Sequence, residues 1–180
     1  MIARRLRRTA RRLLRKPALS VVVVFYDMAR EAPRTLHALS AAYQRGIAQA
    51  DYEVIAVDNG SPTPLDPALV AGCGRNFRLL RIDRASPSPV AAVNRGLAMA
   101  RGDLVGVMVD GARLPTPGLL AEACRAAGLV LRPVVTPLGW YLGFDFQRFA
   151  PQPGEERAAE DRLLARIGWP RNGYRLFDVG

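Results

Sequence analysis

Short uncharged apolar runs alternate with amphipathic stretches along the first two-thirds of the chain. Residues 18–26 (ALSVVVVFY) form the first run, with Asp27 just beyond. Residues 33–46 then carry Leu36, Leu39 and Tyr43 at helical spacing, a stripe that Ile47 extends. Residues 51–58 (DYEVIAVD) read as a second strand closed by the turn signal Asn59-Gly60-Ser61-Pro62. A loop over 62–76 holds a short predicted helix at 66–71. Residues 77–83 (FRLLRID) alternate as a strand nearer a sheet edge does. Ser88 is placed to cap the next helix, with Pro89 in its first turn. Val90, Val93, Leu97 and Ala100 are expected to face the core there, and Gly102 to end it. Residues 102–114 (GDLVGVMVDGARL) complete the series. Their valine-rich run stops at Asp110 and predicts a strand buried on both faces.

Four strands joined by helical connections predict an α/β fold: a mostly parallel, Rossmann-like sheet with helices on both faces. Each strand ends at an aspartate, namely Asp27, Asp58, Asp83 and Asp110. In a parallel sheet these ends share one edge, where open α/β sheets bind ligands. The carboxylates could hold ribose hydroxyls, a base edge or a metal there. Aspartate also favours turns after strands for purely local reasons. After the first strand comes Phe-Tyr-Asp-Met-Ala-Arg, neither a G-x-G-x-x-G nor a Walker loop. That argues against dinucleotide-dependent redox chemistry and P-loop hydrolysis.

The rest of the chain is less regular. Thr116-Pro117 opens a helix with Leu119, Leu120, Ala123, Cys124 and Ala127 inward and Gly128 at its end. Residues 129–136 are expected to form a strand interrupted by Pro133. Residues 139–148 (GWYLGFDFQR) alternate with period two, placing Trp140, Leu142, Phe144 and Phe146 on one face of a mixed or antiparallel strand. That row reads either as core or as a sugar-stacking surface. Residues 155–167 predict a helix with Ala159, Leu163 and Ile167 inward.

Charge changes the picture only at the start. The formal net charge is +10, but residues 1–16 hold eight basic side chains and no acid. Removing those eight charges leaves +2 for the body. Ile2, Leu6, Ala10 and Leu13 line one face of this leader, a basic amphipathic helix of the kind that lies on anionic membrane surfaces. It lacks the apolar core of a secretory signal, and it reads equally as a solvated extension. No aromatics interleave with its arginines, which disfavours nucleic acid. No apolar run approaches the roughly 18 residues of a membrane span. Cys73 and Cys124 stand far apart, as unpaired thiols of a reducing compartment do. His37 is the only histidine, so a histidine-based triad or multi-histidine metal site is excluded by count.

Four blocks in order resemble family 2 of the nucleotide-sugar-dependent glycosyltransferases, which have the GT-A fold. SVVVVFYD (20–27) is similar to the family's opening strand, and YEVIAVDNGSPT (52–63) to the strand and turn whose aspartate contacts the nucleotide base. NRGLAMARGD (94–103) matches the helix before the fourth strand, and GVMVDGA (106–112) falls where the family has Asp-x-Asp. The resemblance covers about residues 19–115. It implies a donor site for a nucleoside diphosphate sugar. Tyr26 would lie near the base, Asp58 would accept from it, Asn94 or Arg95 would edge the pocket, and Asp110 would serve the ribose or a metal. The metal, Mg²⁺ or Mn²⁺, offsets charge on the leaving diphosphate, while a separate carboxylate deprotonates the acceptor hydroxyl.

The chain departs from that pattern at three places. Val24 and Phe25 replace Pro-Thr, Val93 stands where the family often has Arg or Lys, and Asp-Gly-Ala replaces Asp-x-Asp. Since Mg²⁺ can bind through one or two carboxylates plus phosphates and water, weak metal binding, metal-independent transfer and loss of activity all stay open. Glu160-Asp161 is similar to the family's catalytic Glu-Asp pair but comes early and is flanked by arginines, where a solvated face is the ordinary reading. Asp161 is thus a weak candidate base, and no catalytic residue is assigned. The expected organisation is a leader (1–17), a nucleotide-sugar-binding α/β domain (18–150), and a C-terminal helix and tail (151–180) that could begin a truncated acceptor region. The expected activity is inverting transfer of a hexosyl unit to a saccharide, lipid or protein hydroxyl, in the cytoplasm or at the inner face of the membrane. The competing reading is a degenerate, non-catalytic module that binds a nucleotide sugar or a protein partner. A third is a membrane-surface or nucleic-acid adaptor driven by the leader.

Overall fold

The computed structural model describes residues 16–109, 111–140, 142 and 153–179, without the side chains of 153–156. The leader through residue 15, Asp110 and most of 141–152 lie outside the described residues. The chain divides into two units, Met1–Pro133 and Val134–Gly180.

The first unit is built on a four-stranded sheet in the order β3-β2-β1-β4. Its strands are β1 (Leu19–Phe25), β2 (Tyr52–Asp58), β3 (Phe77–Arg81) and β4 (Leu104–Met108). All three pairings are parallel, as the alternation of strands and helices predicts. The register places Phe25 opposite Asp58, and Asp58 opposite Arg81, so these residues form one row at the carboxyl edge. Every residue of β1 and β2 is buried. These two strands have neighbours on both sides and helices on both faces, which explains their near-continuous apolar runs.

On one face, Val21, Val23 and Phe25 pack with Leu36 and Leu39 of α1 (Ala32–Leu39) and with Leu120 of α4 (Leu119–Ala127). Val70 of α2 (Pro67–Gly72) joins this core, and Asp66 Oδ1 caps that helix by accepting from Ala68 N at 2.8 Å. On the other face, Val22, Val24, Ile55 and Val57 meet Ala92 of α3 (Val90–Met99).

Several expectations are corrected. Helix α1 stops at Leu39 instead of running to residue 46, because Ser40 turns extended (ψ 156°) and the chain closes a new turn, Gln44 N to Ser40 O at 2.8 Å. Of the four residues expected inward around α3, Val93 and Ala100 pack against the core, whereas Val90 and Leu97 are exposed. The helix turns Ala92 and Gly96 to the sheet instead. A Cβ on Gly96 would overlap Val22, so small residues at this spacing let the helix sit close.

Strand β4 is an edge strand and is not buried on both faces. Val105 and Val107, opposite Ser20 and Val22 in register, are exposed because α3 packs over β1 and β2 and stops short of β4. Residues 129–136 form no strand. Pro133 removes a ladder donor, and the segment runs irregularly with its apolar side chains in solvent. The strand expected over 139–148 lies mostly outside the described residues.

The amino-terminal ends of the strands are tied by a buried acid that periodicity gave no reason to single out. Glu53 Oε1 accepts from Ser20 Oγ (2.7 Å) and Arg101 N (2.8 Å). Its Oε2 accepts from Arg101 Nη2 at 2.7 Å. Ser20 Oγ in turn accepts from Gly102 N at 2.8 Å, which pins the turn between α3 and β4.

In the second unit, α5 (Pro153–Arg166) buries Ala159 and Leu164, and Ile167 follows it inward. Leu163, expected inward, is half-buried. A 3₁₀ turn (Gly173–Asp178) buries Leu176 and donates from Arg175 Nη1 to Ile167 O at 3.1 Å. No described helix is long and apolar enough to cross a membrane.

Candidate functional site

The loops at the carboxyl edge are locked together before any ligand is considered. Phe25 O accepts from Asn59 N at 2.8 Å, and Asp58 O accepts from Ile82 N at 2.9 Å, so each strand end holds the next. Asp27, just past β1, takes a left-handed conformation (φ 52°), and its N–H donates to Ser61 Oγ at 3.1 Å. Aspartate is among the few side-chain-bearing residues that tolerate this conformation, so it marks the point where the chain turns off the sheet. The β1 and β2 turns therefore form one rim.

Asp58 is buried, and its carboxylate accepts three hydrogen bonds from within the protein. Oδ1 accepts from Ser61 N at 2.9 Å; Oδ2 accepts from Leu65 N at 3.0 Å and from Arg81 Nη1 at 2.8 Å. Arg81 Nε also reaches Asp83 Oδ1 at 2.7 Å. Two backbone donors and a guanidinium thus fix Asp58 as the pin of the Asn59–Ser61 turn. Three of the four strand-end aspartates are described, and two of them share one arginine.

The next residue is different. Asn59 is buried at the same edge, its Nδ2 donates to Ser86 O at 3.3 Å, and its Oδ1 has no hydrogen-bond partner. Buried side-chain acceptors are nearly always satisfied, and an orphan costs about 1–3 kcal/mol. The loop between β3 and α3 covers it. Gly60 (φ 74°) lies against that loop, where a Cβ would stand 2.8 Å from Ala85 Cβ. Sequence reasoning passed over Asn59 as part of a turn signal. Only its burial and its unpaired oxygen distinguish it.

The other described candidates are all exposed. Tyr26 stands in solvent at the end of β1. Asn94 and Arg95 are exposed on α3, the helix that covers β1 and β2. Asp161 is exposed on α5 and belongs to the second unit. Asp110 lies outside the described residues, but its successor is informative. Gly111 is buried, its carbonyl accepts from Thr35 Oγ1 of α1, and a Cβ there would overlap the Phe25 ring. Only glycine fits at 111, whereas Ala112 is exposed. Gln44 fixes the chain a few residues later, with Nε2 donating to Thr116 O at 3.1 Å. Among the described residues, no three His, Cys, Asp or Glu side chains cluster as a metal site. The arrangement thus offers an aromatic ring and a buried amide with an unpaired oxygen on one preformed rim, without a described metal clamp.

A parallel α/β sheet with this order of elements is the architecture of the GT-A glycosyltransferases. The model of glycosyl transferase family 2 matches residues 20–119, more than half of the chain, and the chain belongs to that family. Among solved structures it is similar to TarS 1-349 of S. aureus, alone and in complex with UDP. Each shows 23% identity and a TM-score of 0.53 over 61% of this chain and 32% of that one. It is also similar to the mannosyltransferase PcManGT of Pyrobaculum calidifontis, at 25% identity and a TM-score of 0.44 over 55% of this chain and 28% of that one. The chain thus spans about a third of the length of TarS 1-349. No curated protein matches it.

Proposed function

We propose that the chain carries the donor site of a glycosyltransferase that takes a sugar from a nucleoside diphosphate sugar. The observation that carries this reading is the unpaired, buried Asn59 Oδ1 at the rim. A pyrimidine or purine imide N–H is the kind of donor that would satisfy it, with the 83–88 loop lifting to admit the base. Tyr26 supplies a ring for the base to stack on. Asp58 pins the turn through three hydrogen bonds, and its Oδ1, which accepts only from Ser61 N, keeps the capacity to accept from the base as well. Asn94 and Arg95 edge the pocket, and Asp110 takes the ribose. TarS, which shares the fold, is known in complex with UDP.

The chemistry proposed is a single inverting displacement, in which an acceptor hydroxyl attacks the anomeric carbon and the nucleoside diphosphate leaves. The transferred unit is a hexosyl group, and the acceptor is a saccharide, lipid or protein. A Mg²⁺ or Mn²⁺ ion would have Asp110 as its protein ligand, the rest coming from phosphate oxygens and water, and would offset the leaving charge. Asp161 is the candidate base. The leader 1–16 is proposed to contact an anionic membrane, which would set the protein at the inner face.

A second reading is favoured by Ala112, which stands where a second motif carboxylate would be. The chain is then a degenerate module that binds a nucleotide sugar without turnover. Calorimetric titration with UDP-, GDP- and dTDP-sugars, with and without Mn²⁺, separates the two when paired with assays for transfer and hydrolysis. Binding with turnover supports the transferase. Binding without turnover supports the module. No binding to any of them sinks both.

A further inference from the structure

Residues 129–140 (LVLRPVVTPLGW) come directly after α4 and form neither helix nor strand. Leu129 is 82% exposed, Leu131 101%, Val134 93% and Leu138 86%, and Val130 and Trp140 are also exposed. Soluble chains scatter single apolar residues on their surfaces, but a continuous exposed stretch marks a binding site. The consecutive residues Leu129, Val130 and Leu131 all lie in solvent, so the segment does not present one face to a rigid groove. A medium that surrounds the side chains is the better match.

We infer that residues 129–140 form an interfacial membrane-binding segment whose ligand is an anionic phospholipid surface. Three features fit that ligand. Arg132 lies within the segment and no acid does, Arg125 being paired with Glu122 on the preceding helix, and the leader adds eight basic side chains. Attraction to anionic headgroups therefore adds to apolar burial. Pro133 and Pro137 lack backbone N–H groups, which lessens the polar surface stripped of water when irregular backbone enters the headgroup region. Trp140 ends the segment, and indole rings favour the membrane–water boundary. The depth implied is the interface and not a span. This inference does not rest on the donor-site reading, and nucleotide binding is expected to survive loss of the segment.

The test uses the full chain and vesicles of phosphatidylcholine alone or in equimolar mixture with phosphatidylglycerol. The wild type is expected to sediment with the anionic vesicles. The triple variant Leu131→Ser/Val134→Ser/Leu138→Ser is expected to partition at least about tenfold less well, with its circular dichroism and thermal transition unchanged. In a Trp169→Phe background, Trp140 fluorescence is expected to shift to the blue on anionic vesicles and to be quenched by brominated lipid. Equal partition of wild type and triple variant, or Trp140 emission that vesicles leave unmoved, overturns the inference and leaves the leader as the membrane contact. Sedimentation showing self-association that the triple variant abolishes, without vesicle binding, overturns it in favour of a second copy of the chain.

Discussion

Asp58 and Arg81 stand opposite each other in the β2–β3 register, with Arg81 Nη1 2.8 Å from Asp58 Oδ2. The pair is lopsided: the carboxylate is buried and the guanidinium partly exposed. Asp58→Ala leaves Ser61 N and Leu65 N without acceptors, and is expected to cost about 2–4 kcal/mol of unfolding free energy. Arg81→Ala leaves the carboxylate with both backbone donors, and is expected to cost about 1–2 kcal/mol. Urea denaturation of both variants checks the order. Equal costs would mean that Asp58 serves as a charge partner more than as the pin of the turn.

Asn59 is expected to behave in the opposite way. Asn59→Ala removes an orphaned acceptor together with one long hydrogen bond, so stability should change by less than about 1 kcal/mol. Nucleotide-sugar affinity should fall by about tenfold, the worth of one buried hydrogen bond to the base. Thermal melts and calorimetry on the same sample read both. A large loss of stability with affinity unchanged would make Asn59 a structural residue.

The features legible in the sequence are those set by local forces. Continuous burial in β1 and β2 left an apolar signature broken within the strands only by Ser20 and Glu53, and the helical connections between strands implied parallel pairing. The edge position of β4 was not legible, because Leu104–Met108 has the same valine-rich run as a central strand. Only the reach of α3 across the sheet decides which of its residues meet solvent. The phase of α3 was legible only in part for a related reason: Val93 and Ala100 do pack inward, but side-chain size also suggested Val90 and Leu97, while close packing on Val22 required Gly96. Asp58 was singled out at the site, but Asn59 was not. The difference between them is hydrogen-bond saturation, which depends on Leu65, Arg81 and Ser86 folding back to the edge. No spacing in the chain encodes that.

The Gly111-Ala112 step separates room from need. Gly111→Ala puts a methyl group into the buried Phe25 ring, and is expected to destabilise by about 1–3 kcal/mol. Combining it with Phe25→Leu should recover part of that loss, a coupling that a double-mutant cycle measures. Ala112→Asp lies at an exposed position and should change stability by no more than about 0.5 kcal/mol. It restores the spacing of paired carboxylates, so Mn²⁺ is expected to strengthen nucleotide-sugar binding more in this variant than in the wild type. An identical Mn²⁺ response in both would mean that Ala112 is not what limits metal use.

Glu53 gives the fold an acid limit. Burial pushes its carboxyl up, but hydrogen bonds from Arg101 and Ser20 and the Arg101 charge outweigh that and hold it below its ordinary 4.5. A group with a depressed folded value stabilises the fold above its unfolded value, and that contribution fades as pH falls below 4.5 toward the folded one. Glu53→Gln keeps the shape but loses the charge, and is expected to cost about 1–3 kcal/mol at neutral pH. The gap between wild type and variant should narrow as pH falls below 4.5 toward the lowered folded value, because the wild-type carboxyl then takes up its proton. Urea denaturation at a series of pH values measures it. A gap that stays constant across the series would place the role of Glu53 in packing and neutral hydrogen bonds, with the Arg101 charge contributing nothing.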